Sequence, residues 1–123
     1  MPRDDEHAHQ VALFAWADNV RRQYPELALL FAVPNGGQRS PRTAARLKAE
    51  GVRAGVPDVC LPVPRGGMHG LFIELKRPGL HSVSPVQREW IETLSAYGYR
   101  AEVAVGWDAA RELIVEYLEA RHD

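Results

Sequence analysis

Cysteine is almost missing from this 123-residue chain: Cys60 stands alone. One thiol can form neither an internal disulfide nor a cysteine-rich zinc centre, so the fold has to rest on its core, and a reducing cytoplasm is the expected setting. No apolar run approaches the roughly 20 residues that a membrane helix needs, so no membrane span is expected. Residues 1–10 are polar and hold no apolar segment, so no secretory signal is expected. Internal repeats, low-complexity tracts and long linkers are also lacking. Net charge is close to nil, with 15 Lys and Arg against 16 Asp and Glu. What remains is ordinary for a globular protein. Hydrophobic residues make up 46% and charged residues 25%, which argues against disorder. The length fits one domain with one core over residues 1–123.

The near-zero charge hides an uneven distribution. Residues 1–35 sum to −2, residues 36–56 to +4, residues 57–100 to +1 and residues 101–123 to −4. Arg39, Arg42, Arg46, Lys48 and Arg53 make the positive stretch, opposed there only by Glu50. A local basic patch on a neutral protein can bind polyanions without general stickiness. A solvated helix face explains the charges alone equally well.

Apolar spacing through Val11, Leu13, Phe14, Trp16 and Val20 predicts a first helix over residues 6–22, interrupted at Tyr24-Pro25. Residues 29–33 form a short continuous apolar run and read as a buried strand. Pro34-Asn35-Gly36-Gly37 reads as a turn. Ser40-Pro41 opens a second helix, with serine as cap and proline at the first position, and Gly51 ends it. Residues 59–63 and 70–77 read as strands of an antiparallel hairpin around the turn-rich segment 64–68. Ser84-Pro85 starts a third helix that stops at Gly98. A strand over 99–105 and a last helix capped by Asp108 complete an α/β layout with a mixed sheet.

The chemistry concentrates in Gly55-Val56-Pro57-Asp58 and in Gly70-Leu71-Phe72-Ile73-Glu74-Leu75-Lys76. Strand side chains alternate between faces, so Leu71, Ile73 and Leu75 face the core while Phe72, Glu74 and Lys76 point the other way. Closing the hairpin around residues 65–67 puts residue 58 opposite residue 74. Asp58 and Glu74 then converge with Lys76 alongside. Two such carboxylates repel unless something positive neutralises them, and oxygen ligands suit Mg²⁺ or Mn²⁺. A cation there polarises a phosphoryl oxygen and acidifies a bound water, which are the parts needed to hydrolyse a phosphodiester. An isolated E-x-K is common and on its own points more often to an exposed ion pair.

Pro57-Asp58 followed by Glu74-Leu75-Lys76 resembles the signature of the PD-(D/E)xK nuclease superfamily and, more narrowly, the VRR-NUC domain. The resemblance spans most of the chain. It takes in Glu6 and Gln10, the Pro34-Asn35-Gly36-Gly37 loop, the Ala45-to-Gly51 stretch, Ser84-Pro85-Val86-Gln87 and Gly106-Trp107. It implies a restriction-endonuclease-like core, a central mixed four-stranded sheet flanked by helices. It implies a metal-dependent DNA endonuclease that uses Mg²⁺ or Mn²⁺ and leaves a 5′-phosphate and a 3′-hydroxyl. Asp58, Glu74 and the backbone carbonyl of Leu75 would hold the metal, with Glu6 binding directly or through water. Lys76 would serve the nucleophilic water, Gln87 would support Lys76, and Gln10 shares the helix face of Glu6. Arg39, Arg42, Arg46, Lys48 and Arg53 would hold phosphates without reading bases. Stand-alone members are similar to Holliday-junction resolvases, which implies a homodimer, branched DNA and the cytoplasm of a bacterium or a phage-infected cell. No membrane partner is implied. Other readings are a flap or restriction-like nuclease of the same fold, or a non-catalytic nucleic-acid-binding module.

Structural roles compete at several positions. Ser84 to Gln87 fits S-x-x-Q, a capping box, in which glutamine closes a helix start. Glu6 has the stabilising place of an acid near a helix N-terminus. Cys60 reads as a small buried hydrophobe rather than a nucleophile. His7, His9, His69, His81 and His122 show no paired ligand spacing; His69 could reach the cleft, but a turn histidine is the safer reading. Trp16, Trp90 and Trp107 read as core or interface rather than stacking platforms.

Overall fold

A computed structural model of the chain describes residues 5–34, 40–79 and 82–120. In chain order the elements are α1 (Glu6–Asn19), a 3-10 helix (Pro25–Leu29), β1 (Phe31–Ala32), α2 (Pro41–Ala49), β2 (Val59–Leu61), β3 (Leu71–Lys76), α3 (Pro85–Ala96), β4 (Arg100–Val105) and α4 (Trp107–Leu118). Asn35, Gly36, Gly37, Arg39, His81 and His122 lie outside the described residues.

Four strands form one sheet in the order β1-β2-β3-β4. β1 and β3 both run antiparallel to β2, with Val59 opposite Ile73. β4 runs parallel to β3. A parallel neighbour cannot be reached through a tight turn, and α3 supplies the crossover. The mixed α/β layout expected from the sequence is present.

The alternation read in residues 71–76 holds. Leu71, Ile73 and Leu75 join one core cluster with Leu13 and Ala17 of α1 and with Ala110, Leu113, Ile114 and Tyr117 of α4. Each such aliphatic side chain contributes about 1.5–3 kcal/mol by leaving water. Glu74 and Lys76 project from the opposite face, towards Gln87 of α3. They are buried as well, which an alternating strand with one wet face would not give.

Three local expectations change. The first helix ends at Asn19, before the predicted Arg22. The apolar run at 29–33 divides between the end of the 3-10 helix and a two-residue strand whose Phe31 and Ala32 are exposed. Leu27 and Leu30 make the core contacts of that segment instead. Asp108 does not cap the last helix. α4 begins two residues earlier than a cap at Asp108 would give, Gly106 is its N-cap, and Asp108 sits in the first turn. Among the described residues no helix is long and apolar enough to cross a membrane.

Candidate active site

Asp58 ends the segment that leads into β2. Gly55 lets that segment run close under α3. Its φ is 87°, and a Cβ there would lie only 2.9 Å from a methyl of Val86. Only glycine tolerates both the left-handed backbone and the close approach. Trp90 of α3 adds a bond from its indole N–H to the Ala54 carbonyl at 3.0 Å. On the other side, Val33 N–H donates to the Asp58 carbonyl at 2.7 Å.

So fixed, the Asp58 carboxylate faces β3 and its Oδ2 accepts Leu75 N–H at 2.9 Å. The register carries Asp58 one step beyond the Val59–Ile73 pair, opposite Glu74, as the hairpin arithmetic predicted. Burial raises the Asp58 carboxyl above its ordinary range, and the Leu75 N–H offsets part of that rise. Glu74 is only 3% exposed. Burial, and then the charge of Asp58, push its carboxyl up to about 8. Its Oε2 accepts Gln87 Nε2 at 3.1 Å, while its buried Oε1 has no hydrogen-bond partner among the described residues.

Lys76 points into the same place. Its Nζ donates to Gln87 Oε1 at 3.1 Å and lies 3.5 Å from Glu74 Oε2. Gln87 therefore holds both members of the E-x-K pair with one amide. It also closes the capping box of α3, since its Oε1 accepts Ser84 N–H at 2.9 Å and its N–H donates to Ser84 Oγ at 3.2 Å. The capping role and the bridging role coexist. Glu6 opens α1, and its Oε1 lies 4.0 Å from Lys76 Nζ. The structure brings Glu6 to the lysine. Among the described residues it gathers no group of three or more His, Cys, Asp or Glu side chains.

Two converging acids with raised proton affinity and one buried, unpartnered oxygen fit a divalent cation. The donor set is hard oxygen: Asp58, Glu74 and the Leu75 carbonyl, which emerges on the same strand edge as the Leu75 N–H. Mg²⁺ characteristically takes one or two carboxylates and keeps several waters, so a third carboxylate is not required.

Other candidate residues lie outside this cluster. Gln10 lines a groove with His7, Val11, Phe14 and Ala32. Arg42, Arg46, Lys48 and Arg53 are exposed on α2 and just beyond it, and Arg46 pairs with Glu50 at 3.3 Å. No residue of α2 is buried. His69 contacts the edge of Tyr99 before the start of β3. Lys76 lies seven positions further on, about 23 Å of extended chain, so His69 sits at the far end of the strand. Trp16 and Trp107 pack against the core cluster.

Cys60 is buried, and burial pushes its thiol up to about 11. At pH 8 only about one molecule in a thousand then carries the reactive thiolate. Native protein at pH 8 should resist iodoacetamide and react fully once unfolded in guanidinium, as followed by mass spectrometry. Stoichiometric alkylation of the native form would contradict the burial argument.

The family model for the VRR-NUC domain matches residues 3–108. Among solved structures, a chain described as a VRR_NUC domain protein is similar to this one at 32% identity and a TM-score of 0.83. That match covers 98% of this chain and 93% of the other. No curated protein matches at a significant level. The architecture is thus restriction-endonuclease-like. With most of its length matched in sequence and nearly all of it in structure, the chain belongs to the VRR-NUC domain family, and its function is of the nuclease type.

Proposed function

We propose that residues 1–123 act as one metal-dependent DNA endonuclease domain, cutting four-way junctions as a homodimer with Mg²⁺ or Mn²⁺ in the cytoplasm. The observation that carries this reading is half-buried Asp58 converging on buried Glu74, whose Oε1 has no partner among the described residues, beside a lysine held by Gln87. Asp58, Glu74 and the Leu75 carbonyl would hold the metal, with Glu6 reaching it through water. When bound, the cation supplies Lewis acidity to the phosphoryl group and acidifies water. Lys76, kept in one orientation by Gln87, presents its ammonium protons to the attacking water and to charge building on phosphorus. Arg42, Arg46, Lys48 and Arg53 hold phosphates, joined by Arg39 from outside the described residues. Such contacts position a duplex without reading its sequence. A junction needs two matched cuts, and a twofold dimer offers two equivalent sites.

The test is cleavage of end-labelled junction, flap and plain duplex side by side, with Mg²⁺, Mn²⁺ or EDTA. We expect paired cuts in the junction with either metal and none in EDTA, from a protein whose mass in solution is that of two chains. Equal cutting of plain duplex would remove the junction preference. Preferred flap cutting by a monomer would replace it with the flap reading. Binding without cutting under every condition would leave a nucleic-acid-binding module.

A further inference from the structure

The first turns of α1 carry Glu6 towards Lys76 without an apolar anchor. The first buried residue of that helix is Leu13, almost two turns later. The tie at this end is polar. His9, one turn after Glu6 on the same helix face, accepts the backbone N–H of Trp107 through Nδ1 at 3.0 Å.

Trp107 opens α4, and a helix start leaves its first N–H groups without intrahelical partners. The N-cap is Gly106, with φ 89° and no side chain to offer. At that φ any L side chain is strained whatever space it has, so glycine is favoured there over a capping residue. The acceptor has to come from elsewhere, and His9 brings it from 98 positions away. On its other side the same corner is bonded to the site, because Gly106 N–H donates to the Lys76 carbonyl at 2.7 Å. The Arg111 guanidinium stands 5.1 Å over the Trp107 ring and steadies the corner further.

Building on the nuclease reading, we infer that His9 is a positioning residue for the reaction. Its imidazole seats α1 on the Gly106-Trp107 corner and so fixes Glu6 against the Lys76 ammonium. The property required is a hydrogen-bond acceptor at the first branch of the side chain. Asparagine keeps it, since its Oδ1 stands where histidine has Nδ1. Alanine does not.

His9→Ala and His9→Asn are compared with wild type in single-turnover cleavage of the DNA that wild type cuts best. DNA affinity is measured in Ca²⁺, and hydrogen exchange of the Trp107 amide is followed by NMR. His9→Ala should slow cleavage about 10–100-fold, the scale expected when a reacting group is displaced by about 1 Å, and leave DNA affinity unchanged. His9→Asn should return to within about threefold of wild type. The Trp107 amide should exchange slowly in wild type and His9→Asn and fast in His9→Ala. Rescue by asparagine separates lost positioning from lost folding. Wild-type rates in His9→Ala, equal impairment of both variants, or fast Trp107 exchange in wild type would each overturn the inference while the nuclease reading stands. A wild-type protein that cuts no DNA would overturn both.

Discussion

On the proposed nuclease reading, Lys76→Ala will cut DNA about 10²–10⁴-fold more slowly than wild type, the range for removing a group that assists proton transfer or charge stabilisation in the transition state. Lys76 is 7% exposed, and its Nζ is held by Gln87 Oε1 at 3.1 Å and flanked by Glu74 Oε2 at 3.5 Å. Such an ammonium is prepaid in orientation and cannot be replaced by a mobile surface lysine. DNA affinity should change little, because on the proposed reading phosphate contacts would be spread over the exposed arginines and lysine on and beyond α2. Metal affinity should not fall either. The Lys76 charge lowers the proton affinity of both Asp58 and Glu74, and the same charge opposes an incoming cation. Its removal therefore leaves a site that binds Mn²⁺ at least as tightly. A guanidinium is too large and too differently shaped for this enclosed position, so Lys76→Arg should not rescue. Single-turnover kinetics with Mn²⁺ titration by calorimetry would decide the matter. Cleavage within tenfold of wild type would remove Lys76 from the chemistry, and unchanged cleavage in Asp58→Asn as well would falsify the whole site.

The second large effect concerns stability. Arg65→Ala should destabilise the fold by about 3 kcal/mol, near the lower end of what breaking a buried charged pair costs. For a chain of this size that lowers the melting temperature by ~10 °C. Arg65 lies in the connection between β2 and β3 and is 6% exposed. Its guanidinium ties three pieces of chain together. Nε donates to the Leu118 carbonyl at 3.3 Å, Nη1 donates to the Pro64 carbonyl at 2.7 Å, and Nη2 pairs with the Glu26 carboxylate. One side chain thus joins the hairpin, the C-terminal end of α4 and the 3-10 helix. Alanine strands the carbonyls and leaves Glu26 without its cation. Lysine has one nitrogen and cannot reach all three directions, so Arg65→Lys should recover only part of the loss. Glu26→Gln should cost less, since the Glu26 side chain is 29% exposed and can turn to water. Urea and thermal unfolding of the three variants would show this order. A loss below about 1 kcal/mol for Arg65→Ala would mean that solvent already satisfies these groups.

Arg65 and His9 mark the limit of what could be read from the chain. The Ser84–Gln87 capping box was legible because all of its partners lie within one helical turn. The convergence of Asp58 and Glu74 was legible because an antiparallel hairpin with a period of two turns sequence spacing into cross-strand distance. Lys76 followed from the same alternation. The burial of Glu74 and Lys76 did not follow, because it depends on α3 arriving over that face. The second use of the Gln87 amide, bridging Glu74 and Lys76, depends on that arrival too. Arg65 looked like a turn residue, since Glu26 and Leu118 are 39 and 53 positions away and leave no local pattern. Asp108 looked like a cap by residue type, whereas the acceptor near the start of α4 comes from α1.

Local chemistry, then, was enough to specify where α2 and α3 start, which strand faces are apolar and which two acids meet. Those properties arise from interactions within a turn or across one hairpin, whose geometry the residue order sets directly. Packing alone assigned the partners of the buried polar groups: Gln87 between Glu74 and Lys76, His9 at the start of α4, Arg65 under the hairpin. A buried donor or acceptor takes whatever group the folded chain places within about 3 Å, and that neighbour exists only after remote segments have come together.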